Sequence, residues 1–286
     1  MPMNDLQHGI DALMPPQMAE KAEALGVKKA HLAWDKVFAL SILAGAFISL
    51  GAVFATTVTA GGAGVIPFGI LKLLAGFVFC LGLVLVVVAG AELFTGNNLI
   101  VLAWANGKIT FLQVLKNWVI VYIGNFVGCI LTAIGIFLSG QYKFGQGIVG
   151  VNILKIANVK TSLDFVEAFM LGVFCNALVC LAVWLTLSAR STTDRILAVI
   201  FPITAFVAAG FEHSIANMYF IGIGLLVKFY AGAKFWAMTQ LAGDSFESLN
   251  MVNFFLVNLV PVTLGNIVGG SVMVGLIYWV IYIRKS

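Results

Sequence analysis

Charge is scarce in this chain. Only 10% of its 286 residues are charged, against about 25% in soluble proteins. With 61% hydrophobic residues and a mean hydropathy of +1.05, it carries more apolar surface than a soluble core of this length can hide. A water-soluble protein is excluded. The formal net charge of +4 is scattered and forms no basic tract, which excludes nucleic acid as a partner. Cys80, Cys129, Cys175 and Cys180 all lie inside apolar stretches without acidic or histidine neighbours. They read as small core residues, so neither a metal nor a cofactor is expected. The N-terminus lacks the apolar run of a cleavable signal peptide.

What is present is length of apolar run. A membrane-crossing helix needs about 20 apolar residues. Uncharged runs cover 37–71, 117–142, 168–189 and 248–283. Two more, 73–107 and 196–227, qualify if Glu92 in the first and Glu212 with His213 in the second are tolerated. The predicted fold is an all-α integral membrane protein with six spans, the second and fifth broken. Residues 1–34 form a separate N-terminal segment and 35–286 the membrane domain.

The breaks recur. AGAELFTGN (89–97) matches AGFEHSIAN (209–217), and KNWVIVYIGNFVG (116–128) matches VNLVPVTLGNIVG (257–269). A weaker echo pairs Phe38, Gly45 and Phe47 with Phe165, Gly172 and Phe174. Each unit, about 35–142 and 163–284, holds three spans. An odd number obliges the second unit to enter from the opposite side, giving an inverted 3+3 repeat whose matching broken helices point to the permeation site. With both termini inside, ten basic residues are cytoplasmic and six, including Lys160, are outside, as the positive-inside rule requires. The N-terminal segment reads as an amphipathic helix, with Pro16 in its first turn, Met18, Ala22 and Leu25 on one face, and Gly26 as its stop. Lying on the membrane surface is the plain reading; a cytoplasmic gate is the sharper one.

Irregular backbone at membrane depth needs protein or water to satisfy it. Gly, Asn, Ser and Thr at both breaks supply that help, and half-helix N-termini facing the break favour an anion. Glu92 and Glu212, with Asn97 and Asn217, occur in both repeats and read as braces of the shared architecture. His213 replaces Leu93 of the first repeat, so the architecture does not demand it; it reads as the group that gives a hydrogen bond or a proton to a small weak-acid anion. Phe79, Leu83, Leu93, Phe94 and Phe206 are candidate apolar constrictions on either side of it. Lys160 is a candidate for concentrating anions at the outer mouth.

GFEHSIANM, AGAELFTGN, PVTLGNIVGG and the terminal GLIYWVIYIRK resemble the formate/nitrite transporter family, and most its bacterial formate channels. The resemblance runs from PPQMAEKAEALGVKKA to the C-terminus. It implies a homopentamer of aquaporin-like protomers, each with its own pore, in the bacterial inner membrane. It places Leu93, Phe94 and Thr95 at the pore face of the first break, with Thr95 hydrogen-bonded to His213. Phe79, Leu83 and Phe206 match constriction positions; Asn176 and Lys160 match polar residues near the pore and its outer mouth. Formate would cross as formic acid after protonation at or near His213. Membrane lipid is the other expected partner, and a cytoplasmic formate-metabolising enzyme stays open as a third.

Nitrite, hydrosulfide, acetate and lactate remain alternative cargoes, being small weak-acid anions as well. A water or glycerol pore would carry paired Asn-Pro-Ala loops and an intramembrane arginine; the chain has no Asn-Pro dipeptide, and Arg190, Arg195 and Arg284 all flank spans. An enzyme built on Glu212 and His213 lacks further catalytic partners, and sequence neighbours on a helix do not face each other.

Overall fold

The computed structural model describes residues 12–284, so His8 and Lys285 lie outside the described residues. Every regular element among them is helical. Five helical stretches are long and apolar enough to cross a membrane: α2 (Trp34–Thr59), α3 (Phe68–Ala89), α6 (Phe111–Leu138), α8 (Phe165–Ser188) and the final stretch Asn253–Tyr282. The sixth passage is divided between α9 (Thr192–Ala208) and α10 (Ser214–Tyr230), 17 residues each and individually short of a crossing. Shorter elements are α1 (Pro15–Ala30), α4 (Phe94–Asn97), α5 (Val101–Ala105), α7 (Ile148–Lys160) and α11 (Ala233–Thr239). The final stretch contains α12 (Val260–Ile267) and α13 (Ile277–Tyr282), each preceded by π-helical turns.

With 22 residues at about 1.5 Å per residue, α3 is long enough to cross by itself before the chain breaks. The first break follows directly on the end of this helix, and the second span is broken there as the fifth is. At both breaks a glycine makes the turn: Gly90 (φ +82°) and Gly210 (φ +78°) occupy the left-handed region that a β-carbon disfavours.

Packing repeats between the halves, with one change of register. On the first half, a β-carbon on Gly124 or Gly128 would meet the Phe38 or Ile42 carbonyl; on the second, one on Gly265 or Gly269 would meet the Phe169 or Val173 carbonyl. Phe38 thus corresponds to Phe169, and Ser41 to Gly172. The weaker echo, which paired Phe38 with Phe165, is displaced by four residues, about one helical turn, because a one-turn slip preserves the apolar face. Backbones this close leave no room for a side chain. Gly128→Val is expected to destabilise the folded protein by about 1–3 kcal/mol, whereas Gly135→Val, with open space around its β-carbon, should be close to neutral. Thermal melting of the detergent-solubilised variants checks this.

Helix α1 is docked, not adrift on the surface. Its buried face is Met18, Ala19, Ala22 and Gly26, while Leu25 is exposed. The helix continues through Gly26, whose lack of a side chain lets it lie against Ile100 and Ala103. Polar ties fix it: Lys21 Nζ donates to the Leu187 carbonyl at 2.8 Å, and Asn106 Nδ2 donates to Glu23 Oε1 at 2.6 Å. Burial, then Arg190 and Arg195, hold the Lys21 ammonium below its ordinary pKa. Helix α1 also packs on α13, so both ends of the described chain lie on one face, called here the near face.

Candidate functional site

Each break is held by a cluster that its own half supplies. In the first, Glu92, 7% exposed, accepts from Lys29 Nζ at 2.8 Å and from Asn97 Nδ2 at 2.7 Å. The same Asn97 amide donates to Asn117 Oδ1. In the second, Glu212, 5% exposed, accepts from Lys160 Nζ at 2.7 Å and from Asn217 Nδ2 at 2.6 Å, and Asn217 donates to Asn258 Oδ1. Lys29 on α1 and Lys160 on α7 are therefore counterparts. Each buried carboxylate has the opposite charge and the hydrogen bonds that burial requires.

Paired asparagines then clamp the freed backbone. Asn125 Nδ2 donates to the Ser41 and Glu92 carbonyls, and its Oδ1 accepts from the Phe94 N–H. Asn266 does the same with the Gly172 and Glu212 carbonyls and the Ser214 N–H. Lys29, Asn117, Asn125, Asn258 and Asn266 were not among the residues singled out from sequence. The signal was there: both asparagine pairs stand aligned in the 116–128 and 257–269 repeats, inside otherwise apolar helices.

Where the halves meet, His213 and Thr95 touch. His213 is the N-cap of α10, and its Nδ1 accepts from the Ala216 N–H at 3.0 Å. A backbone N–H only donates, so Nδ1 carries a lone pair and the ring proton sits on Nε2. Nε2 lies 2.9 Å from Thr95 Oγ1 and donates to it. That leaves the Thr95 hydroxyl hydrogen to be given onward. The pair is a neutral donor relay, fixed in direction by a helix terminus.

The apolar candidates divide into groups. Leu83 and Leu93 line a cavity of about 110 Å³ on the near side, together with Gly26, Lys29, Asn97 and Ile100. One turn further along α3, Phe79 meets Phe206 edge-on at 5.8 Å, and Phe206 stacks on His213 at 5.9 Å. Phe94 is not with them. Its ring packs edge-on against Trp118 (6.1 Å) and Tyr122 (5.0 Å) of α6, because α4 turns that side chain away from its neighbour Leu93. Asn176 is spent on structure: its amide donates to Asn98 Oδ1 (2.8 Å) and to the Asn266 carbonyl (2.6 Å), and approaches the Thr95 carbonyl at 3.3 Å. Lys160 is no free surface cation, being bound to Glu212 and lying 5.4 Å over the Phe220 ring.

Duplicated halves, breaks braced by buried ion pairs, and apolar rings packed beside a buried polar pair fit a multi-pass membrane channel. The family profile described as formate/nitrite transporter matches residues 16–280. The chain is 48% identical to the formate channel FocA of Escherichia coli (strain K12), over 96% of each chain. It is 41% identical to FocA of Haemophilus influenzae, over 92% of this chain and 93% of that one. A solved pentameric formate channel with formate bound superposes with a TM-score of 0.84 at 46% identity, covering 88% of this chain and 98% of that one. The chain belongs to the formate/nitrite transporter family.

Proposed function

We propose that this protein conducts formate across the bacterial inner membrane, one proton crossing with each anion. The observation that carries the mechanism is the Thr95–His213 pair: a donor relay, 0% and 3% exposed, between the Leu83–Leu93 and Phe79–Phe206 groups. A bare carboxylate entering an apolar passage loses its hydration, at large free-energy cost. The Thr95 hydroxyl, backed by His213 Nε2–H, replaces part of that shell. Because the cap bond leaves the ring one N–H, the proton that neutralises formate comes from water, and the apolar rings pass the compact neutral acid while rejecting bare ions.

The names of the similar proteins support formate as cargo and a homopentamer as assembly. The near face, with α1 and both ends of the described chain, is assigned to the cytoplasm on the charge bias of the loops. Membrane lipid surrounds the assembly, and α1 offers the face on which a formate-metabolising enzyme would dock.

The test is uptake into proteoliposomes of formate, nitrite, hydrosulfide and glycerol at pH values from about 5 to 8, with an internal pH dye. This reading expects fast formate uptake with matching internal acidification, rising as the pH falls because more of the acid is protonated. Fast glycerol uptake without formate would overturn it; nitrite or hydrosulfide ranking first would reassign the cargo.

A further inference from the structure

The mirrored clusters imply mirrored vestibules, and one residue makes them unequal. On the near side Lys29, Asn97 and Ile100 line one cavity. The repeat maps Lys29 to Lys160, Asn97 to Asn217 and Ile100 to Phe220. The far-side counterpart of an aliphatic wall residue is thus an aromatic ring. Seven residues after His213, Phe220 lies on the same face of α10, about 10 Å further along its axis. It stacks on Phe79 at 6.4 Å, and its face carries the Lys160 ammonium at 5.4 Å. Between Glu212 and Leu225 it is the one residue that is not fully buried, so part of its surface stays accessible where its neighbours' does not.

We propose that Phe220 is the outermost ring of the far-side constriction and sets the size of the weak acid admitted there. This rests on the reading of the protein as a weak-acid channel and extends it to a residue of its own. The order from the far side is Lys160, Phe220, Phe79, Phe206 and then His213 with Thr95. Lys160 is held by Glu212 and covers the outer face of the Phe220 ring. Phe220 is the first surface to strip water from the anion, and its edge and the Phe79 ring bound the opening. An apolar opening discriminates through the methyl groups it excludes, so trimming the ring should shift the ranking toward longer acids.

The experiment compares uptake of formate, acetate and propionate into proteoliposomes by wild type, Phe220→Ala and Phe220→Leu. In Phe220→Ala the acetate-to-formate and propionate-to-formate ratios are expected to rise about tenfold, with Phe220→Leu between it and wild type. Unchanged ratios in an intact assembly overturn the proposal, because a ring that merely packs would alter stability and not ranking. Should Phe220→Ala fail to assemble, Phe220→Leu, which keeps most of the volume, decides by the same ratios. The ranking is read among whichever of the acids the wild type passes. A wild type that carries acetate but not formate therefore counts against the choice of cargo, while the shift in ranking still judges Phe220.

Discussion

His213→Asn is expected to reduce formate uptake at neutral pH by about tenfold to a hundredfold while leaving the protein nearly as stable as wild type. The reasoning separates two jobs of one ring. Asparagine is among the best N-caps, and its side-chain oxygen takes over from Nδ1 in accepting the Ala216 N–H. What it does not replace is the Nε2–H at 2.9 Å from Thr95 Oγ1. A hydrogen bond to a charged group contributes about 1.5–3 kcal/mol, which sets the size of the loss. His213→Phe removes both jobs, so it should also lower stability by about 1 kcal/mol for the missing cap. Thr95→Val should reproduce the transport loss, and Thr95→Ser should restore most of it. Uptake by His213→Asn equal to wild type at every pH would remove the relay from the mechanism.

The second large effect concerns Lys160. Both members of the Lys160–Glu212 pair are largely buried, with side-chain exposures of 14% and 7%. Removing one partner of such a pair leaves an uncompensated charge and destabilises by about 3–5 kcal/mol. Lys160→Met should therefore lower the melting temperature of the solubilised protein by about 5–10 °C. Adding Glu212→Gln should recover part of that drop, since the orphaned charge disappears. Lys29→Met should do less, because Lys29 is 30% exposed and water reaches the Glu92 cluster once the lysine is gone. Equal drops for Lys29→Met and Lys160→Met would mean that the two clusters are not distinguished by burial. A double variant no more stable than Lys160→Met alone would mean that the orphaned charge is not the cause.

These two predictions draw on different levels of information. That His213 matters was legible in the sequence, because the repeat supplied its own control: Leu93 stands where His213 does, so the imidazole is extra to the architecture. The Glu92 and Glu212 braces were legible for the converse reason, being present in both halves. Lys29 was not, since the repeat legible in the sequence begins near residue 35. Only the one-turn change of register between α2 and α8 carries it back through α1. Hydropathy could not fix that register, since sliding an apolar helix by four residues keeps nearly the same face inward.

By itself the sequence determined a duplicated, inverted bundle of apolar helices, broken at two glycine-led stretches, with a single histidine at the seam. Scarcity of charge and the period of the repeats were enough for that. Only the tertiary structure decided which way the side chains at the seam point. It turned Phe94 into α6, committed Asn176 to backbone, docked α1 through Gly26, and put Phe220 on the face of α10 that His213 begins. It also set the tautomer of that histidine, because the partner of each ring nitrogen comes from an atom whose position no sequence spacing specifies: the Ala216 N–H of the capped helix on one side, and the Thr95 hydroxyl of the other repeat on the other.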